Sequence, residues 1–106
     1  MVEDISPDEL HERLENGADV QVIDVRLERS FRQGHIPGAE NVPFHRFARA
    51  VAELDWSTDI VVVCPHGESS LQAARLLESY EGVPDEARVA NLVGGYGAWE
   101  HELERE

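Results

Sequence analysis

Apolar positions along the chain fall into short blocks whose period switches between strand-like and helix-like. Ser6-Pro7-Asp8-Glu9 has the form of a helix start: a capping serine, proline at the first helical position and acids in the first turn. Leu10 and Leu14 share one face of that helix, and Asn16-Gly17 ends it. Val20 to Val25 predicts a short strand that leads through Asp24 to Arg26. Leu27 to Gln33 predicts a short helix closed by Gly34, His35-Ile36-Pro37-Gly38 a turn, and Ala39 to Val42 a brief strand. Phe44, Phe47, Ala48, Val51 and Leu54 recur at helical spacing. Ile60 to Cys64 is a β-branched run without alternation, as in a strand buried on both faces. After Pro65-His66-Gly67, Ser69 or Ser70 is expected to cap a helix carrying Leu71, Ala73, Ala74, Leu76 and Leu77, ended by Gly82 and Pro84. Val89 to Val93 predicts a further strand, Gly94-Gly95 a tight turn, and Tyr96 to Leu103 a closing helix. Strands alternating with helices predict an α/β domain with a mainly parallel central sheet.

Composition narrows the functional classes. The chain has 106 residues, 42% of them hydrophobic and 29% charged, with no repeat or linker, so one ordered domain over 1–106 is expected. Its longest apolar run, Ile60 to Cys64, is far short of the roughly 18 residues that a membrane span needs. Met1 is followed by neither a basic nor an apolar leader segment, and a cytoplasmic location is expected. Acidic residues number 22 against 9 basic ones, a net charge of -13. That balance argues against nucleic acid and against anionic membrane surfaces as partners. All nine basic residues are arginine, and lysine is absent. Such a composition resembles proteins of salt-accumulating cytoplasms, where salt screens self-repulsion, so a halophilic protein is expected. No apolar surface stripe is apparent, and a monomer is the expectation.

Cys64 is the only cysteine, which excludes an intramolecular disulfide and a cysteine-built zinc site on this chain. His11, His45 and His101 are scattered without metal-ligand spacing, and neither metal nor cofactor is expected. Ligands in open α/β sheets lie beyond the carboxyl ends of strands. Cys64 ends the most apolar strand, immediately before a tight loop and a helix N-terminus. Loop amides and the helix's positive end are placed to hold an anion there, which lowers a thiol pKa and supplies thiolate. Gly67 permits the backbone turn such a cradle needs. The competing interpretation is a small buried hydrophobe at a strand end.

Three ordered motifs surround this cysteine. Val22-Ile23-Asp24-Val25-Arg26, Phe31, Gly34-His35-Ile36-Pro37-Gly38-Ala39 and Asn41-Val42-Pro43 form the first. Val62-Val63-Cys64 with the loop to Ser69 forms the second, and Leu92-Val93-Gly94-Gly95-Tyr96-Gly97-Ala98-Trp99 the third. Together they cover nearly the whole chain, which resembles the rhodaneses, here as a single-domain sulfurtransferase. Within that family the Cys64-Pro65-His66-Gly67-Glu68-Ser69-Ser70 loop is most similar to that of the bacterial thiosulfate sulfurtransferases of glycerol-phosphate metabolism.

The resemblance implies a rhodanese-like fold with helices on both faces of the sheet, and a persulfide mechanism without metal or cofactor. Cys64 would take a sulfane sulfur from thiosulfate or a persulfide and pass it to cyanide, a thiol or a protein. The amides of His66, Gly67, Glu68, Ser69 and Ser70 would bind the sulfur, with Asp24 and Arg26 supporting the loop. Asp24 and Arg26 also read as a structural ion pair, and Ser69 and Ser70 as hydroxyls that either hydrogen-bond the sulfur or cap the helix. Cysteine phosphatases need an arginine where this chain has Ser70, so phosphate chemistry is rejected. The loop has no basic residue and carries Glu68, which favours a persulfide over the thiosulfate dianion. Two further roles stand beside the enzyme: a sulfur-relay partner in tRNA or cofactor thiolation, and a non-catalytic interaction or redox-sensing module. His35 reads as a structural turn residue, and Tyr96 and Trp99 as core aromatics.

Overall fold

In the computed structural model, which describes residues 1–106, five strands form one sheet. They are β1 (Glu3–Ile5), β2 (Gln21–Asp24), β3 (Glu40–Asn41), β4 (Asp59–Val63) and β5 (Arg88–Leu92), in the order β1-β5-β4-β2-β3. Every pairing is parallel. Four helices connect them: α1 (Pro7–Glu15), α2 (Glu28–Gln33), α3 (Phe44–Ala50) and α4 (Ser69–Glu78).

β4 is central, and its side chains alternate between two cores. Ile60, Val62 and Cys64 face Phe47 and Val51 after β3 and Ala73, Ala74 and Leu77 of α4. Val61 and Val63 face Leu10 of α1, Ile36 and Trp99. Residues Ile60 to Val63 have no accessible surface, as the unalternating run requires. The same alternation places Asp24 on the α1 side with Val22, and Asn91 on the α4 side with Val89.

Ser6 caps α1 as expected, its hydroxyl accepting from the Glu9 amide at 3.1 Å. One strand is added to those expected, and two expectations are corrected. β1 carries only one buried apolar residue, Ile5, and is a strand because Glu3, Asp4 and Ile5 pair with Ala90, Asn91 and Leu92. The Phe44-to-Leu54 periodicity is α3 followed by a separate 3-10 turn, Val51–Glu53. The closing helix over Tyr96 to Leu103 does not form: only a 3-10 turn at Gly95–Ala98 is present. Its amides are engaged elsewhere, Tyr96 N–H donating to the Cys64 carbonyl and Gly97 N–H to the Pro65 carbonyl, both at 2.9 Å. The tail then returns to pair Glu104 with His35.

Candidate active site

β4 delivers Cys64 to the carboxyl end of the sheet, where the chain turns through Pro65 to Glu68 into α4. Gly67 sits at φ +93°, a conformation that L side chains rarely adopt, and this aims its amide back at the sulfur. The Gly67 N–H donates to Cys64 Sγ at 2.9 Å, and the Ser70 hydroxyl lies 3.1 Å from the same atom. Cys64 is only 2% exposed, so the sulfur lies at the floor of its loop. Burial pushes the thiol pKa up. The Ser70 hydroxyl and the amides of Ser70, His66 and Gly67 outweigh burial and bring it below the ordinary thiol value.

The expected loop residues divide. Gly67 and Ser70 meet the sulfur through a hydrogen bond, and His66 through its amide. The His66 ring is exposed and lies beside Gly97. Glu68 is exposed, and Ser69 is half-buried at the first position of α4. Neither serine caps α4, whose N-cap residue is Glu68 with no side-chain cap bond. Ser70 is already inside the helix, where its hydroxyl serves the sulfur site instead.

Asp24 and Arg26 lie one strand away and do not touch the sulfur. Asp24 is fully buried and accepts from the Arg26 amide at 2.9 Å and from its guanidinium at 2.8 Å. Arg26 also donates to the Gly34 carbonyl at 2.7 Å and covers the Tyr96 ring at 3.6 Å. Tyr96 donates to Asp24 Oδ2 at 2.8 Å and accepts from the Ile36 amide at 3.0 Å. Burial, then the Asp24 carboxylate, push its phenol pKa far up, so the hydroxyl stays protonated and keeps donating. This network ties β2, the Gly34–Ile36 turn and the segment after β5 together beside the cysteine loop. His35 is structural, buried, stacked on Phe31 at 3.8 Å and bonded to its carbonyl.

Two participants escape a reading of the sequence. Asn91 bridges the Gly67 carbonyl, 3.1 Å from Nδ2, and the Ser70 hydroxyl, 2.5 Å from Oδ1. One polar residue inside Val89-Ala90-Asn91-Leu92-Val93 was the available signal. Gly95, at φ +57°, lets the turn after β5 lie against the first peptides of the loop: a Cβ there would sit 2.1 Å from the Cys64 carbonyl oxygen.

Fold and site define a parallel α/β domain whose central strand presents a cysteine to a ring of amides and one hydroxyl. Residues 6–102 match the rhodanese-like domain. A thiosulfate sulfurtransferase, GlpE, of Pseudomonas aeruginosa is 39% identical over 95 residues, 90% of this chain and 81% of that protein. A sulfurtransferase of Allochromatium vinosum is 36% identical over 100 residues, 93% of this chain and 89% of that protein. Among solved structures, the rhodanese-like domain of an Anabaena protein superposes with a TM-score of 0.80 at 32% identity, covering 100% of this chain and 81% of that one. A rhodanese-related protein of Thermoplasma volcanium gives 0.82 at 21% identity, covering 98% and 99%, a likeness of fold. The chain belongs to the rhodanese-like domain family.

Proposed function

We propose that this protein is a rhodanese-type sulfurtransferase that carries sulfur on Cys64. The observation that carries this reading is the convergence of the Gly67 amide and the Ser70 hydroxyl on one buried sulfur. Such donors stabilise a thiolate without a general base. In the first step the Cys64 thiolate attacks the outer sulfur of thiosulfate; the new S–S bond forms as the old one breaks, and sulfite leaves with the bonding pair. In the second step a nucleophile such as cyanide or a thiolate takes the outer sulfur, and the electron pair returns to Cys64 as thiolate. Charge is conserved in both. His66, Gly67, Glu68, Ser69 and Ser70 form the loop around the transferred sulfur, and the Asp24–Arg26 pair supports it from β2.

A sulfur-relay role is favoured by a separate observation. Three large exposed apolar side chains, Leu27, Phe44 and Val93, follow the carboxyl ends of β2, β3 and β5. They lie at the same end of the sheet as Cys64, and exposed apolar side chains there suit a polypeptide donor or acceptor better than a small anion. No helix is long and apolar enough to cross a membrane. The lysine-free acidic composition supports a salt-rich cytoplasm as its location.

The test is intact mass after incubation with thiosulfate in high salt, for the natural chain and Cys64→Ser. A gain of about 32 Da on the natural chain alone identifies the sulfur-carrying residue. Folded protein that gains nothing from thiosulfate but loads from a persulfide donor is a relay. Loading from neither leaves an interaction module and overturns the enzymatic reading.

A further inference from the structure

The Ser70 hydroxyl has one proton and two acceptors. Cys64 Sγ lies 3.1 Å from Oγ on one side, and Asn91 Oδ1 lies 2.5 Å away on the other. Ser70 has no accessible surface and Asn91 is 7% exposed, so water does not stand in for either partner. The orientation of the Asn91 amide is fixed independently. Its other end lies 3.1 Å from the Gly67 carbonyl, which only accepts, so Nδ2 faces Gly67 and Oδ1 faces Ser70. Gly67 is held at both ends: its carbonyl by Asn91 and its N–H by the sulfur.

These contacts allow two arrangements, of which only the first satisfies every group. With a protonated thiol, S–H donates to Ser70 Oγ and Ser70 O–H donates to Asn91. With a thiolate, the thiol proton has left to solvent, Ser70 O–H rotates to the sulfur, and Asn91 Oδ1 faces an oxygen with no proton between them. Ser70 keeps its proton throughout; only the direction changes. When a second sulfur is bonded to Sγ, the negative charge moves to the outer atom, and the first direction is favoured again.

We propose that Asn91 is a positioning residue that acts through Ser70: it accepts the Ser70 O–H hydrogen bond whenever Sγ is protonated or bonded to a second sulfur, and gives that bond up when Sγ is the anion. Asn91 therefore opposes the free thiolate and favours the loaded state, which assists loading in each cycle. The loaded-state half rests on the persulfide reading; the thiol half does not. The charged and titratable groups on the surrounding elements are the paired Asp24 and Arg26 at the end of β2, His66 and Glu68 in the loop, and Tyr96 after β5. None of their side chains hydrogen-bonds the sulfur.

The test is the pH profile of Cys64 alkylation in four chains: natural, Asn91→Leu, Ser70→Ala and the double substitution. Loss of the Gly67 contact is common to both Asn91→Leu chains and cancels in the comparison. Below the thiol midpoint, Asn91→Leu should raise the rate relative to its parent about fivefold more when Ser70 is present than when it is absent, the worth of one neutral hydrogen bond. Equal ratios, or a smaller one with Ser70, overturn the proposal. A measurement on the unsubstituted chain covers the case in which Asn91→Leu does not fold. The side-chain carbonyl 13C resonance of Asn91 should move with the thiol's own midpoint and move back on sulfur loading. A resonance that stays fixed through the thiol titration overturns the shared proton. A resonance that titrates but does not return on loading refutes only the loaded-state half, and mass spectrometry shows separately whether sulfur was loaded at all.

Discussion

Gly95→Ala probes how the turn after β5 holds the start of the cysteine loop. The residue sits at φ +57°, where an L side chain costs about 1–2 kcal/mol. The added Cβ would lie 2.1 Å from the Cys64 carbonyl oxygen, 2.7 Å from the Pro65 carbonyl carbon and 2.8 Å from its oxygen. All three are backbone atoms, so no rotamer change relieves them. Since non-bonded atoms settle at about 3.5 Å, the segments must part by more than about 1 Å. That breaks the bonds from the Tyr96 and Gly97 amides to the Cys64 and Pro65 carbonyls, each worth roughly 0.5–1.5 kcal/mol. The total is about 2–5 kcal/mol, a large share of the roughly 5–15 kcal/mol that holds such a domain folded. Urea unfolding reads the stability, and the pH profile of Cys64 alkylation reads the site. Gly17→Ala is the control: φ is +77° there, but nothing lies within 4 Å of the added Cβ. Gly95→Ala should cost clearly more than Gly17→Ala and should move the Cys64 midpoint upward. Equal costs with an unchanged midpoint would refute the clamp.

Ser70→Ala removes a donor to the thiolate, so the Cys64 midpoint should rise and alkylation at neutral pH should fall about tenfold, the effect of one bond to a charged group. Rates should converge above both midpoints; a uniform loss at all pH values would point to blocked access instead. Tyr96→Phe strips the Asp24 carboxylate of one donor and the buried Ile36 amide of its acceptor, and should cost about 2–4 kcal/mol in urea unfolding while leaving alkylation unchanged. The lowered thiol pKa also links folding to pH. Its stabilisation is full above the unfolded thiol's value of about 8.5 and is lost as pH falls through the lower folded value, so Cys64→Ala should flatten that slope of stability against pH.

What the sequence reveals tracks how local the cause is. Ser6 and Pro7 announce α1 because capping is settled within one turn. Ile60 to Val63 announces the central strand because burial on both faces leaves an unbroken apolar run. Cys64 stands out because strand end, loop and helix start coincide in sequence. β1 is not legible, because Glu3-Asp4-Ile5 becomes a strand only by pairing with β5, far along the chain. Tyr96 to Leu103 has a helical pattern, yet its first amides serve the cysteine loop, a long-range claim that overrides local propensity. Ser70 reads equally as a cap or as a donor to sulfur by residue type, and only its place inside α4, one residue past the first position, selects the sulfur. Asn91 and Tyr96 matter through partners 21 and 72 positions away, respectively, a relation that periodicity does not encode.

The charge of the whole chain bears on this one thiolate, and the sign of the effect discriminates between two ways of holding an anion. The sulfur's hydrogen-bond donors are an amide and a hydroxyl at 2.9 and 3.1 Å, contacts too short for salt to screen. The remaining net charge of -13 is spread over a body with a 12.5 Å radius of gyration and opposes ionisation at long range. At that distance in water each charge contributes about 0.3 kcal/mol unscreened. At about 0.1 M salt, with a Debye length near 10 Å, roughly 1 kcal/mol of the combined opposition survives; at about 1 M almost none does. Raising salt should therefore increase the thiolate fraction below the midpoint on the order of fivefold. Alkylation of Cys64 at fixed pH, in salt where the chain is folded at both ends of the range, measures this directly. A cation clamped beside the sulfur would give the opposite sign, because salt would weaken the attraction that stabilises the anion. A rate that falls with salt would thus refute the dipole cradle, whereas a rise would show that the acidic surface opposes the thiolate and that the site holds it without a cation.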